Sequence, residues 1–551
     1  MDQKYSKRRI HKNNQKFRKL IIILCVLLLI GIYTLIYYVM FREKAPFKVV
    51  ETPSIGHPAD VPGSASLNQT PPPTQYLKGS ERSGESFPSP PDQAERSPGP
   101  EPPKVENPPE PGPSKVENPP ESVAAAKSGS EIISDEIRSS MQYAFQAYMR
   151  DAWKSDEYMP VKKRGINTFG GKGLTIIDSL DTLYLMGLDT EFKSAKQFVV
   201  NEFNFHGRIN VFENNIRVLG GLLSAYSLTN DRIFLEKAIL VGEQLLKAFQ
   251  RRIPCAIIHT DRPKSCEMQK WAHGAVNAEV GTLSVEFAAL SKFSGDSRWQ
   301  DKIDSLNDYW ELHSDKLLSM NIDPVTEKMS GPTTIGGGID STYEYFLKLS
   351  KLTGDKRSKE LYDKFEEMIV SQMFRRYGKT TFAKGSKQNV IEHLGCFLGG
   401  MLIMGQRYVK EGLEFTETCA QMYVTNPSGI ACDSVTVSKT GSLTCKSDVY
   451  LLRPETVESI FYAWRETHDP KWRVYAAKIW KALEHHCQLE SGGFTDVRYV
   501  TRKTPEKMDK QESWFLAETI KYLWLIFQPD AVLPLDKFVL NTEAHPILTF
   551  V

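Results

Sequence analysis

Acidic or histidine residues lie near the starts of successive apolar segments of the chain. In one case Pro454 is typical of a first helical position, and Glu455 and Glu458 follow it in the first turn. A carboxylate at a helix start is common, because the exposed N–H groups favour negative charge. Six such positions recur at similar places, and this predicts that they face one cavity. They are Glu213, Glu279, Asp340, His393, Glu455 and Glu518.

Carboxylates that share a cavity shift one another's pKa, so that a neutral acid and an ionised base coexist near pH 7. Two carboxylates across a glycosidic bond are the usual arrangement for its hydrolysis. Arg217 and Arg453 supply part of the counter-charge, and a hard divalent cation can supply more. Aromatic rings at Trp514, Phe515 and Tyr522 suit the C–H faces of a sugar. The pattern therefore favours carbohydrate chemistry.

The segments that position these residues repeat along the chain. They end in similar sequences, such as LLSAYSLTND (222–231), YEYFLKLSKLTGD (343–355) and IFYAWRETHD (460–469). The endings at 189, 231, 296, 355, 412, 469 and 530 recur at intervals of about 60 residues, enough for two helices and two connections. We therefore predict an all-α domain whose seven helical hairpins close into an (α/α)7 barrel. An open solenoid is the alternative, but it usually has shorter repeats.

The N-terminal part predicts a membrane anchor. Residues 1–19 are strongly basic, and the uncharged run from Leu20 to Phe41 is long enough to span a bilayer. A cleaved signal peptide would have a shorter apolar region that ends in small residues, whereas this run ends in aromatic ones. The basic residues before the span predict a cytosolic N-terminus and a lumenal C-terminal part.

Residues 42–129 form a predicted lumenal stem. The segment is rich in Pro, and KVENPPE occurs twice, at 104–110 and 115–121. Such a composition cannot bury enough apolar surface to fold. The catalytic domain is then expected at 130–551. The net charge of +2 gives no indication of nucleic-acid binding.

Six motifs resemble those of the class I α-1,2-mannosidases, glycoside hydrolase family 47, in order from about residue 145 to the C-terminus. They are GLTIIDSLDTL (173–183), FENNIR (212–217), DSTYEY (340–345), HLGCF (393–397), RPETVES (453–459) and NTEAHP (541–546). The resemblance implies the same (α/α)7 barrel. It also implies a calcium-dependent, inverting exo-hydrolase that removes terminal α-1,2-linked mannose from high-mannose N-glycans.

The resemblance also assigns roles to individual residues. Glu213 matches the general acid, Glu455 the proposed water-activating base and Asp340 the third essential carboxylate, and it is left open which of Asp340 and Glu455 is the base. Thr542 matches the residue whose carbonyl and hydroxyl bind Ca²⁺. The residues expected around the mannose are Arg217, Glu279, His393, Arg453, Glu458, Trp514, Glu518 and Glu543.

Two departures from the family pattern concern the cleft. Trp514 stands where the family usually has a stacking Phe, and Gly338 stands where the endoplasmic reticulum enzymes carry an Arg. The open Gly336–Gly338 run suggests a roomier cleft and broader trimming, as in Golgi-type members. We expect a monomer in the Golgi membrane, with the endoplasmic reticulum as the alternative, and the order of trimming is left open.

Seven of the eight cysteines would face an oxidising lumen, where disulfides persist. No CxxC pair occurs, so there is no indication of a zinc site. The resemblance implies a Cys396–Cys419 disulfide. Proximity in the sequence predicts Cys255–Cys266 and Cys432–Cys445, which leaves Cys487 free.

Two other functions are compatible with parts of the pattern. Degradation-enhancing members of the same family keep much of the barrel and act in glycoprotein quality control, but this chain has all three carboxylates and no appended protease-associated domain. A lyase or prenyl-type enzyme on an α/α toroid would carry an Asp-rich diphosphate motif or a Tyr/His base pair, and neither is present.

Overall fold

A computed structural model describes residues 127–262, 264–385 and 389–551. The predicted anchor at 20–41 and almost all of the predicted stem lie outside these residues. Within the described part of the chain, no helix combines the length and the apolar character needed to cross a membrane.

Outer and inner helices alternate along the described residues. The outer helices are amphipathic and bury one face each: Gly129–Asp151, Asp189–Asn201, Arg232–Leu245, Arg298–Leu312, Lys356–Met373, Val409–Val424 and Pro470–Cys487. The inner helices are buried on nearly all sides, and several consist of consecutive short segments: Leu174–Asp178 with Leu180–Leu185, Val211–Glu213 with Asn214–Leu219 and Gly220–Thr229, Asn277–Gly281 with Ser284–Ser294, Asp340–Thr353, His393–Cys396 with Phe397–Gly405, Glu455–Thr467, and Phe515–Thr519 with Ile520–Ile526.

The helix contacts close into a ring. Each inner helix contacts the inner helices before and after it, and the last one, at 515–526, contacts the first, at 174–185. The first outer helix, Gly129–Asp151, packs on the last inner helix, Ile520–Ile526, and the other outer helices pack on the inner helix that precedes them. The seven pairs in the described residues are consistent with the α/α barrel that the repeat predicts.

A local hydrogen-bond pattern explains the repeated Thr-x-Asp endings. In the ending THD (467–469), Thr467 Oγ1 donates to the Ala463 carbonyl and accepts from the Asp469 N–H. His468 takes the left-handed conformation at φ 49°, which ends the inner helix. Asp469 then caps the outer helix by accepting from the Lys471 N–H at 2.9 Å. The same pattern is present at 229–231 and 353–355.

The domain is less purely helical than predicted, because its connections contain short antiparallel sheets. Strands of two to five residues are too short for their alternation to be read from sequence. Three of them end directly before an inner helix begins, at Asn210, Val276 and Glu392. The paired strands are Glu157–Met159 with Arg164–Ile166, Arg208–Asn210 with Ile257–His259, Ala275–Val276 with Asn321–Ile322 and Met329–Ser330, Phe374–Tyr377 with Thr380–Ala383, Val390–Glu392 with Ser434–Val437 and Leu443–Ser447, Val449–Tyr450 with Val497–Arg498 and Glu506–Lys507, and Phe538–Leu540 with Pro546–Leu548.

The C-terminal hairpin closes the end of the ring at which the inner helices finish. Its strands pair in the register Phe538↔Leu548, and the Phe550 N–H donates to the Leu352 carbonyl near the end of an inner helix. The loop between the strands, 541–545, reaches into the ring. There Asn541 Nδ2 donates to the Ile216 carbonyl at 2.8 Å and to Glu286 Oε1 at 2.7 Å.

The cysteine predictions are confirmed. The structure contains the disulfides Cys255–Cys266, Cys396–Cys419 and Cys432–Cys445. Cys487 is a free, buried thiol.

A buried ion network links the first inner helix, the last inner helix and the C-terminal loop. Lys521 Nζ lies 2.9 Å from Asp181 Oδ1, and His545 bridges Asp181 at 2.7 Å and Asp178 at 3.0 Å. Burial lowers the pKa of His545, but the two carboxylates outweigh it and raise that pKa to about 9. Because all four side chains are fully buried, the charges must compensate one another.

We predict that Lys521→Met lowers the free energy of unfolding by about 3–5 kcal/mol, because it leaves the Asp181 charge buried without its lysine. Urea denaturation of the purified chain measures this change. Lys481→Met is the matched control, since Lys481 pairs with Glu136 and Glu484 on the exposed surface, and we expect a change of about 0.5 kcal/mol or less. Equal losses in the two variants would contradict the role of the buried network.

Candidate active site

The beginnings of the inner helices converge on a cavity of about 320 Å³. Every predicted site residue except His393 lines it. Those residues are Glu213, Arg217, Glu279, Asp340, Arg453, Glu455, Glu458, Trp514, Glu518, Thr542 and Glu543. The structure therefore brings together residues that are spread over more than half of the chain.

His393 lies behind the cavity, in contact with Glu455. Its Nδ1 is 2.6 Å from Glu455 Oε2, and its Nε2 is 2.8 Å from the Tyr423 hydroxyl. Burial raises the pKa of Glu455, but the hydrogen bond from His393 and the positive charge of Arg453 outweigh it and bring that pKa below its usual value. His393 is thus placed to position and ionise Glu455 rather than to touch a ligand in the cavity. The helix begins at Glu455, one residue after the predicted Pro454.

Arg217 compensates the negative charge of acidic residues on the side of the cavity opposite Glu455. Its guanidinium donates to Glu213 Oε2 at 3.0 and 2.8 Å and lies 3.5 Å from Glu543 Oε1. It also lies 5.0 Å from the centre of the Trp514 ring. Glu213 directly precedes a π-helical segment, Asn214–Leu219, an irregularity that is frequent at functional sites.

Asp340 differs electrostatically from Glu455. Burial, partly offset by the hydrogen bond from the Ser341 N–H at 2.8 Å, raises the pKa of Asp340 to about 7. Burial and the charge of Glu213 likewise raise the pKa of Glu279 to about 7, against the hydrogen bond from Gln269. The cavity thus holds carboxyl groups whose pKa values are raised to about 7 beside Glu455, whose pKa is lowered.

Sequence reasoning missed two residues on the Asp340 helix. Glu344 and Lys348 follow Asp340 at intervals of four residues, are buried, and form an ion pair with each other. Lys348 also donates to the Asn541 carbonyl at 3.0 Å and lies 3.9 Å from Glu458 Oε1. The spacing of four, which places side chains on one helix face, is the signal that could have found them.

The floor of the cavity has an oxygen-rich set of groups that fits a calcium ion. Thr542 lines the cavity, and its hydroxyl donates to Glu344 Oε2 at 3.0 Å. Burial raises the pKa values of Glu458, Glu518 and Glu543 well above their usual value, and repulsion from neighbouring carboxylates adds to the shift. Glu543 Oε1 is buried and accepts no hydrogen bond within the described residues, although the Arg217 guanidinium lies 3.5 Å away. Hydroxyl, carbonyl and carboxyl oxygen atoms are the ligands that Ca²⁺ prefers.

A second cluster, also missed from sequence, supports Trp514 from behind. Lys510 Nζ lies 2.9 Å from Glu157 Oε2 and 2.5 Å from Glu512 Oε2, and it is 6.0 Å from the centre of the Trp514 ring. The indole N–H of Trp514 donates to the Leu451 carbonyl at 3.1 Å. Burial and the neighbouring Glu157 raise the pKa of Glu512 to about 9. One lysine therefore forms ion pairs with two buried carboxyl groups.

Comparison with known proteins finds relatives that align with about three quarters of the chain. A mannosyl-oligosaccharide alpha-1,2-mannosidase IA of Drosophila melanogaster is 35% identical over 445 residues, 75% of this chain and 66% of that protein. A mannosyl-oligosaccharide 1,2-alpha-mannosidase of Arabidopsis thaliana is 35% identical over 75% of this chain and 78% of that protein. The solved alpha-1,2-mannosidase from Trichoderma reesei superposes with a TM-score of 0.71 at 25% identity and covers 76% of this chain and 99% of that one.

A ring of helix pairs around a cavity of opposed carboxyl groups has the organisation of a glycoside hydrolase. The sequence profile of Glycosyl hydrolase family 47 matches residues 140–549. The chain belongs to this family, as its motifs indicate.

We predict that Lys510→Met lowers the free energy of unfolding at neutral pH by about 1–3 kcal/mol, because two buried carboxyl groups lose their shared cation. This expected loss is smaller than that for a fully buried ion pair because the Lys510 side chain is 31% exposed and solvent screens its charge. Glu512, with a pKa of about 9, already holds its proton at neutral pH, so the charge left without a cation is that of Glu157. Adding Glu157→Gln removes this charge and should recover most of the loss in urea denaturation. Lys510→Arg keeps the charge and serves as the control. A double variant no more stable than Lys510→Met would contradict the charge argument.

Proposed function

We propose that this chain removes terminal α-1,2-linked mannose from high-mannose N-glycans, as an inverting, calcium-dependent exo-hydrolase. The observation that carries the proposal is the single cavity lined by Glu213, Asp340 and Glu455. The family membership and the names of the relatives, which are mannosyl-oligosaccharide 1,2-alpha-mannosidases, support this substrate and linkage.

In this mechanism Glu213 is the general acid. Its carboxyl proton passes to the glycosidic oxygen as the bond from that oxygen to the anomeric carbon breaks, which releases the shortened glycan as an alcohol. Arg217, which holds Glu213 in place, then stabilises the carboxylate that is left. A water molecule attacks the anomeric carbon from the opposite face, so that the released mannose has the inverted configuration.

Glu455 is the better candidate for the base that takes the proton from this water. A base must be ionised before the reaction, and His393 and Arg453 favour the ionised form of Glu455. Asp340, with a pKa of about 7, is better suited to carry a proton itself and to share it in a hydrogen bond with a sugar hydroxyl or a water molecule.

Thr542 would hold the calcium ion through its carbonyl and hydroxyl oxygens. When bound, Ca²⁺ would orient the sugar hydroxyls and lower the pKa of nearby water. The chain's own contribution at this position is to fix the loop: Asn541 Oδ1 accepts from the Glu543 and His545 N–H groups at 2.9 and 2.8 Å.

The chain is further proposed to be a monomeric type II membrane protein of the Golgi or endoplasmic reticulum. The uncharged run at 20–41 and the Pro-rich segment at 42–129 support an anchor and a stem. One relative, 34% identical over 74% of the chain, is the human Endoplasmic reticulum mannosyl-oligosaccharide 1,2-alpha-mannosidase. The degradation-enhancing alternative is not favoured, since all three carboxyl groups line the cavity.

We predict that the purified chain releases free mannose from a nine-mannose N-glycan, and that a calcium chelator stops the release. Glu455→Gln should lower kcat by about a hundred- to ten-thousand-fold, because the attacking water loses its base. Chromatography of the trimmed glycans over time measures both effects and gives the order of trimming.

The control is the chain with calcium restored after chelation, which should recover its rate. Glycan binding with no release of mannose, together with unchanged behaviour of Glu455→Gln, would contradict the hydrolase proposal.

We predict that His393→Gln moves the acid limb of the kcat/KM profile to higher pH by about one pH unit. The base must be ionised, so activity falls as pH drops through its pKa. Loss of the His393 hydrogen bond raises that pKa, and the limb follows it upward. Tyr423→Phe keeps His393 but removes its hydroxyl partner, and we expect a smaller shift in the same direction. An acid limb that stays in place in His393→Gln would contradict the positioning role.

A further inference from the structure

Trp271 is the one exposed tryptophan of the nine, all of which lie in the described residues. It is 64% exposed, whereas most of the others are buried in the helix core. A single exposed apolar side chain is ordinary on a protein surface. This one, however, lines the same cavity as the catalytic carboxyl groups. Its indole has no ring, cation or hydrogen-bond partner within the described part of the chain.

The backbone on both sides of Trp271 is fixed in position by covalent and packing contacts. On one side, the Cys255–Cys266 disulfide and the backbone bridge between Ile257 and Glu267 fix the preceding hairpin. On the other, Gly274 adopts φ 129° and packs so closely on the Ile322 carbonyl that a side chain at Gly274 would collide with it. The rim position of Trp271 is thus defined by the fold although the indole itself is uncovered.

The turn that carries Trp271 is also connected to the mannose site. Gln269 Nε2 donates to Glu279 Oε1 at 2.7 Å, and Glu279 lines the cavity. Burial increases from this rim toward the floor, where Glu518 and Glu543 are almost fully buried. A glycan whose terminal mannose reaches the floor must leave the cavity past its rim. Gly338, which also lines the cavity, has no side chain to block that path.

We propose that Trp271 forms an outer sugar-binding subsite, in which its indole face stacks on a mannose beyond the two residues that share the scissile bond. This rests on the proposed function and deepens it. The sugar C–H face and the indole are both weakly hydrated apolar surfaces, and their contact removes them from water. The subsite favours a branched or extended glycan over a disaccharide, so that Trp271 sets substrate preference without taking part in bond cleavage.

The test compares two substrates in the full-length chain. For Trp271→Ala, we expect KM for a nine-mannose glycan to rise by about five- to ten-fold with kcat unchanged, the size of one lost aromatic contact. For the disaccharide mannose-α-1,2-mannose, we expect KM to change by less than about two-fold, because it does not reach the rim. Trp271→Phe keeps a smaller stacking face and should fall between the wild type and Trp271→Ala on the glycan.

Leu312→Ala is the control, because Leu312 is 74% exposed and does not line the cavity. An unchanged KM for the glycan in Trp271→Ala would overturn the proposal. An equal loss on glycan and disaccharide would overturn it as well, because the contact would then belong to the reacting pair of sugars.

Acrylamide quenching of tryptophan fluorescence measures the accessibility of the indole and gives a second test that does not depend on catalytic activity. Trp514 also lines the cavity and is half-buried, so the comparison between the two proteins is what matters. We expect the nine-mannose glycan to reduce quenching clearly more in the wild type than in Trp271→Ala. If the wild type released no mannose from either substrate, the hydrolase proposal would fail, and this difference in protection would still decide the subsite. Equal protection of the two proteins would overturn it.

Discussion

Repulsion among buried carboxyl groups is the constraint on which the arrangement of the cavity depends. Glu458, Glu518 and Glu543 are each nearly fully buried, and burial together with neighbouring carboxylates raises the pKa of each of them. Such a group of acids is stable only if cations stand among them. Arg217 and Lys348 do so from two inner helices, and a calcium ion at Thr542 would complete the balance. The charged residues around the cavity are therefore best understood as one set rather than as separate ion pairs.

The same environment separates the roles of two similar side chains. Glu455 and Asp340 both begin inner helices and both are half-buried, yet their pKa values move in opposite directions. The difference comes from their neighbours: Glu455 has His393 and Arg453, whereas Asp340 has the Ser341 N–H and faces the negative charges of Glu344 and Glu455. This difference supports the proposal that Glu455 is the base, a choice that the sequence resemblance alone left open.

The sequence predicted those parts of the structure that depend on local patterns. The Thr-x-Asp endings repeat because each ending supplies a hydroxyl, a left-handed residue and a cap in three consecutive positions, and the acids lie at helix starts. The Lys510 cluster depends instead on Glu157, which is remote in sequence and reaches Lys510 only when the ring is closed. The short strands carry too few residues for a periodic signal. The place of His393 behind Glu455 likewise depends on packing between adjacent helices, which no single motif specifies.

Closure of the ring and the floor of the cavity depend on the same contacts. The loop at 541–545 forms the cavity floor, and it is held by carbonyl hydrogen bonds from Lys348 to Asn541 and from Lys521 to Ala544. Lys521 also binds Asp181 on the first inner helix, and His545 binds Asp181 and Asp178 there. The loop that carries Thr542 is thus held by residues of both the first and the last inner helix. A barrel that is open at this seam would keep most of its helices but would lack a floor on which the sugar could be oriented.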